Sequence, residues 1–137
     1  MGEAVNAVRN ALWVPFHDGA DQDRLVLPHC IATDRAFWPP SRMSPYVTGG
    51  SVDWRQVSPD GRLVARVVYR RGFQQAFEPL LPYGVALVEL HCGIRLQAHL
   101  YRPDDSASPR EGERVTVGFA ALIDGGKPVL TIKGREP

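Results

Sequence analysis

Residues 62–70 read RLVARVVYR, and the pattern repeats at every second position. Leu63, Ala65, Val67 and Tyr69 fall on one face; Arg62, Val64, Arg66, Val68 and Arg70 fall on the other. That is the period of a half-buried β-strand, and it is incompatible with a helix. Residues 94–101 (IRLQAHLY) alternate in the same way, with Ile94, Leu96, Ala98 and Leu100 inward. Between these two strands, residues 83–90 (YGVALVEL) are almost continuously apolar, as a central strand should be. His91-Cys92-Gly93 is short enough for a tight hairpin. Two more strands follow, at 114–122 and 128–133, separated by Asp124-Gly125-Gly126-Lys127. Gly118 lies within the fourth strand, where glycine marks a bulge or a sharp bend. Five short curved strands predict a closed or nearly closed five-stranded barrel, best fitted by the oligonucleotide/oligosaccharide-binding (OB) type.

The first half reads differently. Residues 3–13 carry Val5, Val8, Leu12 and Trp13 at helical spacing, so a short helix is expected, ending before Pro15. Leu25-Val26-Leu27 suggests a short strand closed by Pro28. Residues 33–51 are rich in Pro, Ser, Gly and aromatics and predict a long irregular connection. The 137 residues fit one domain, and the 12 prolines and 13 glycines favour many turns over a helical bundle. The expected organisation is a helix and linker at 1–24, a loop-rich segment at 25–51 and the barrel at 52–137, in one compact unit.

Charge and cysteine content narrow the function classes. The net charge of +1 lacks the basic excess of a general nucleic-acid binder. Cys30 and Cys92 make no disulfide framework. The polar N-terminal stretch has no apolar core of a signal peptide, and no run reaches the length of a membrane helix, so a cytoplasmic protein is expected. His29-Cys30 and His91-Cys92 would make a zinc site only if both segments met, and neighbours on a strand point to opposite faces. Glu89, in its apolar strand, is expected to point outward or to pair with Arg95. No nucleophile motif and no metal-binding helix motif is present.

Several short segments, in order, resemble one family. They are Val14-Pro15-Phe16, Leu25-Val26-Leu27-Pro28-His29-Cys30, Phe37-Trp38-Pro39-Pro40-Ser41-Arg42 and Trp54. After Ser58-Pro59-Asp60-Gly61 come Pro82-Tyr83-Gly84-Val85-Ala86-Leu87-Val88-Glu89-Leu90, Gly93-Ile94-Arg95 and Gly112-Glu113-Arg114-Val115-Thr116-Val117. This order resembles the acyl-CoA-associated family that joins a rubredoxin-like zinc ribbon to an OB-fold, domain of unknown function number thirty-five. The likeness spans about residues 14–133. It implies a mostly β protein with a short N-terminal helix, a ribbon at 25–51 and the barrel after it. The family's four zinc cysteines would fall near Cys30, Thr33, Ser44 and Val47, and only Cys30 is a thiol. The resemblance therefore implies a degenerate ribbon without zinc, whose loop is expected to be held by packing of Phe37, Trp38, Met43 and Tyr46.

The resemblance also implies an accessory, non-catalytic subunit. Its partner would be a thiolase-like or aldolase-type enzyme, its ligand acyl-CoA, and it would hold no tightly bound cofactor. Candidate acyl-CoA contacts are Phe37, Trp38, Pro40 and Arg42 in the loop, and Arg66, Arg70 and Arg71 as a cationic strip. Arginine forks suit the phosphates of CoA, but the strip also fits a solvated strand face. The aromatic loop fits a groove, an interface or a small core equally well. Phe73, Phe77, Leu80, Leu81 and Tyr83 are the candidate partner surface. Two other classes remain open. One is a single-stranded nucleic-acid module using Trp54, Tyr69 and Tyr101 as stacking platforms. The other is a stand-alone acyl-CoA enzyme with His99, Glu89 and Asp104 as its strongest acid–base candidates.

Overall fold

The computed structural model describes residues 2–71 and 75–135. The chain divides into two compact units, Met1–Val57 and Ser58–Pro137, where the sequence suggests one.

The first unit begins with helix α1, Gly2–Asp21. The helix does not stop before Pro15, as its sequence suggests, but carries Pro15 inside it and continues for six residues. Proline removes one helical hydrogen bond and crowds the preceding turn. The residues after it supply what keeps the helix going. Phe16 packs with Trp13, ring centroids 5.7 Å apart. The C-terminus is then closed by hydrogen bonds, Arg24 N to Gly19 O at 2.7 Å and Asp23 N to Ala20 O at 3.1 Å. Asp23, at φ 55°, takes the left-handed position that this type of helix stop requires.

Three strands follow: β1 (Val26–Cys30), β2 (Arg35–Ala36) and β3 (Val52–Gln56). They form an antiparallel sheet in the order β2-β1-β3. Strand β1 runs through Pro28 rather than ending there. The Pro28 carbonyl accepts the Phe37 amide at 3.0 Å, so the Pro28 nitrogen also faces the β2 side. Strand β2 is two residues long and needs no donor there. The β1–β3 register, Val26 opposite Gln56 through Cys30 opposite Val52, shows that residues 52–56 belong to this sheet. The barrel therefore starts later than residue 52. Leu25, Leu27, Cys30, Ala36 and Phe37 are buried in this unit.

The second unit is the closed barrel expected from the alternation. Its strands are β4 (Asp60–Tyr69), β5 (Tyr83–Leu90), β6 (Arg95–Leu100), β7 (Arg114–Ala121) and β8 (Pro128–Arg135). They close in the order β4-β5-β6-β8-β7, with β6 and β8 parallel and the other pairs antiparallel. Gly93, at φ 89°, turns the β5–β6 hairpin. Leu63, Ala86, Val88, Leu96, Leu100, Val115, Val117 and Phe119 fill the interior. Strand β4 departs from the simple alternation. A register shift between Leu63 and Ala65 makes Val64 an extra residue and reverses the parity beyond it. Leu63 is buried, whereas Val67 is 56% exposed, so the two do not share a face as the sequence pattern suggests. Arg66 instead stands opposite the buried Ala86 and Val68 opposite Gly84.

Candidate docking and ligand surfaces

In the first unit, the end of α1 and the irregular loop assemble an aromatic cluster. Trp38 lies 5.1 Å from both Trp13 and Phe16, edge-on to the first and tilted to the second. Edge-to-face geometry sets the positive edge of one ring against the negative face of the other. The expected site residues divide here. Phe37 and Pro40 are buried, Trp38 is half-buried, and Arg42 is exposed. Arg42 edges a cavity of about 320 Å³ together with Leu12, Pro15, Ser41, Val52 and Trp54. Met43 is 60% exposed and does not pack in the loop's interior as expected. Tyr46 does tie the loop down: its hydroxyl donates to Ala36 O at 2.8 Å, and the Arg35 guanidinium lies 4.2 Å from its ring centre.

The four positions where the resemblance implies zinc ligands hold a different chemistry. Cys30 is fully buried, and the Ser44 and Thr33 side chains lie within hydrogen-bonding reach of its sulfur, Ser44 with the larger effect. Those hydroxyls stabilise the thiolate and lower its pKa to about 7. Ser44 Oγ accepts the amides of Tyr46 at 3.0 Å and Val47 at 3.3 Å. One thiol, two hydroxyls and a valine do not fit tetrahedral zinc, which takes thiolate, imidazole or carboxylate ligands. His29 and Cys30 belong to β1, and His91 and Cys92 to the exposed β5–β6 hairpin. Among the described residues, no three His, Cys, Asp or Glu side chains gather in metal-binding geometry.

In the second unit, two of the three expected cations are engaged by the loop 101–113. The Arg66 guanidinium donates to Pro109 O at 2.8 Å, to Ser108 Oγ at 3.3 Å and to Pro103 O. Arg70 forms a two-pronged pair with Asp104, at 2.8 and 3.0 Å, which holds the Asp104 carboxyl below its ordinary range. Arg71 is exposed. The strip thus positions a loop, and the reversed parity of β4 is what turns Arg66 towards it.

Of the expected partner residues, Phe73 lies outside the described residues. Phe77 belongs to a 3₁₀ turn, Gln75–Leu80, and its side chain is also outside them. Leu80 and Leu81 are half-buried and line a cavity of about 430 Å³ with Pro82, Tyr101, Arg102 and Asp105. A second cavity, about 320 Å³, shares Tyr101, Arg102 and Asp105 and adds Ile132 and Lys133. Arg102, at φ 48°, holds its guanidinium 5.1 Å from the Tyr101 ring centre. Neither Arg102 nor Lys133 stands out in the sequence, because the loop and β8 bring them together from thirty residues apart. Tyr83 sits elsewhere, stacked between Tyr69 at 5.4 Å and His99 at 5.8 Å.

The acid–base candidates are dispersed. Glu89 Oε2 pairs with Arg95 at 3.2 Å, as the sequence suggests. His99 stands opposite Val85 and Glu89 opposite Arg95, so the two occupy different ends of the β5–β6 ladder. His99 is only 9% exposed, and burial pushes its imidazole pKa down. Of the stacking candidates, Trp54 lies on β3 in the first unit, and Tyr69 and Tyr101 lie in the second.

Three comparisons bear on these surfaces. Residues 54–120 match the family model of the ChsH2 C-terminal OB-fold domain. A curated relative from Thermomonospora curvata, named probable enoyl-CoA hydratase alpha subunit, is 38% identical over 132 residues. The match takes in 93% of this chain, and the chain spans 37% of that relative's length. A solved structure titled Ltp2-ChsH2(DUF35) aldolase aligns with a TM-score of 0.71 and 30% identity, covering 90% of this chain and 91% of the matched one. With fold and sequence alike over nine-tenths of both chains, this chain belongs to the DUF35 OB-fold family.

Proposed function

We propose that the chain is a non-catalytic accessory subunit that docks on an aldolase-type or thiolase-like enzyme and helps to bind its acyl-CoA substrate. The observation that carries this reading is the match, over nine-tenths of both chains, to a chain of the Ltp2-ChsH2(DUF35) aldolase. The dispersal of His99, Glu89 and Asp104 agrees with it, since general acid–base chemistry needs groups converging on one reacting atom. The docking contacts are Trp38, Arg42 and Met43 in the first unit. In the second unit, the groove beside Leu80 and Leu81 suits the pantetheine arm, with Arg102 and Lys133 for phosphate oxygens. The name of the Thermomonospora relative favours a second partner chemistry, addition of water to an enoyl-CoA, with the same accessory role.

The test is co-expression of the tagged chain with the thiolase- or aldolase-type product of a neighbouring gene. The two should co-purify in fixed stoichiometry through size exclusion. A chain that elutes alone from such a preparation contradicts the reading.

A further inference from the structure

Ser44 lies at the centre of the loop's hydrogen bonding. A serine hydroxyl can accept two hydrogen bonds and donate one. Ser44 Oγ accepts the Tyr46 and Val47 amides at 3.0 and 3.3 Å. Its single proton is then left for the Cys30 sulfur, which lies within hydrogen-bonding reach of it. Ser44 is 8% exposed, so water could not easily replace any of these partners. The loop is closed on both sides of this point. Ser44 N donates to Gly50 O at 3.2 Å, and Gly50 N donates to Val47 O at 2.9 Å. On the other side, Asp34 N donates to Cys30 O at 2.8 Å, and the Arg55 guanidinium pairs with Asp34.

Two backbone amides donating to one serine hydroxyl two and three residues earlier form a serine turn. A thiolate at position 44 would receive the same two amides and keep its remaining lone pairs for a metal. Here the acceptor carries a proton and directs it to the sulfur across the loop. We infer that residues 30–47 form a metal-independent knuckle, in which a hydrogen-bond knot of Cys30, Ser44 and Thr33 joins the two halves that a tetrahedral ion would otherwise bridge. A zinc ion placed there would have to displace the Ser44 proton and would find one thiolate among four positions. This inference concerns the first unit's own residues and does not depend on any partner enzyme.

The full chain should be purified and its zinc measured by elemental mass spectrometry, then melted with and without excess chelator. The expected result is far less than one zinc per chain and superimposable melting curves. Stoichiometric zinc, or a chelator-induced loss of the first unit's structure, overturns the inference. Ser44→Ala should speed amide exchange at Tyr46 and Val47 about tenfold, the loss expected for one net hydrogen bond. Unchanged exchange at both amides also overturns it. The backbone geometry is checked by restoring the thiols together, as Thr33→Cys, Ser44→Cys and Val47→Cys. This variant should bind one cobalt ion with the intense visible bands of tetrahedral thiolate coordination. A folded triple variant without those bands shows that these positions do not form a knuckle.

Discussion

Replacing Arg66 with alanine should destabilise the barrel unit without any ligand present. Three hydrogen bonds from its guanidinium hold the loop at Pro103, Ser108 and Pro109. All three of those residues are buried, so their acceptors would have little access to water once the arginine is gone. Hydrogen bonds from charged donors contribute about 1.5–3 kcal/mol each, and an orphaned buried carbonyl costs about 1–3 kcal/mol. The three bonds act on one loop and are not independent, so the loss falls short of the roughly 4.5 kcal/mol of three separate low-end bonds and is expected to be about 3 kcal/mol. Arg70→Ala provides the control. Its partner Asp104 is exposed, and exposed ion pairs contribute little. Urea unfolding followed by the far-ultraviolet circular dichroism of the full chain measures both variants, and hydrogen exchange localises the change to residues 101–110. The reasoning fails if Arg66→Ala unfolds at the wild-type midpoint, or if Arg70→Ala is the more damaging of the two.

Other substitutions test other parts of the structure. Gly61→Ala would set a Cβ 2.4 Å from Glu89 O, a backbone atom in the adjacent strand, and should cost about 2 kcal/mol in denaturant unfolding. Trp38→Ala removes both ring contacts to α1 and should lower stability by about 2 kcal/mol, measured in the same way. His99 is held below its usual pKa by burial, so an unfolded chain takes up that proton first as pH falls through about 6.5. Stability is therefore full above that pH and declines below it, and His99→Gln should flatten that part of the stability–pH curve.

The barrel was legible because two of its strands alternate with period two, a third is almost continuously apolar, and turn residues stand between them. All five appear within a few residues of their expected places. The bulge at Val64 was not legible, because an inserted residue leaves the apolar pattern intact while reversing which face each side chain occupies. That reversal sends Arg66 into the loop and leaves Val67 exposed. Pro15 misled for a related reason. A local rule about proline gave way to ring packing and a left-handed stop at Asp23, neither visible from helical spacing alone. At the site, Glu89 and Arg95 were legible as a cross-strand pair. Arg102 and Lys133 were not, since only barrel closure brings β8 beside the loop after β6. The role of Ser44 was hidden because a serine in a Pro-rich loop carries no signal of the sulfur it will meet. The loop is held by that hydrogen-bond set and by Tyr46, with Met43 left exposed.

On the proposed reading, the chain serves another enzyme's chemistry. The most direct measurement compares turnover of a panel of acyl-CoA esters by the purified chain, by its aldolase- or thiolase-type partner, and by the two together. The chain alone should show no turnover above buffer, and the complex should exceed the partner alone, with the gain reduced by Leu81→Asp or Arg102→Ala in the groove. Turnover by the isolated chain, or a partner equally active without it, would contradict the accessory role.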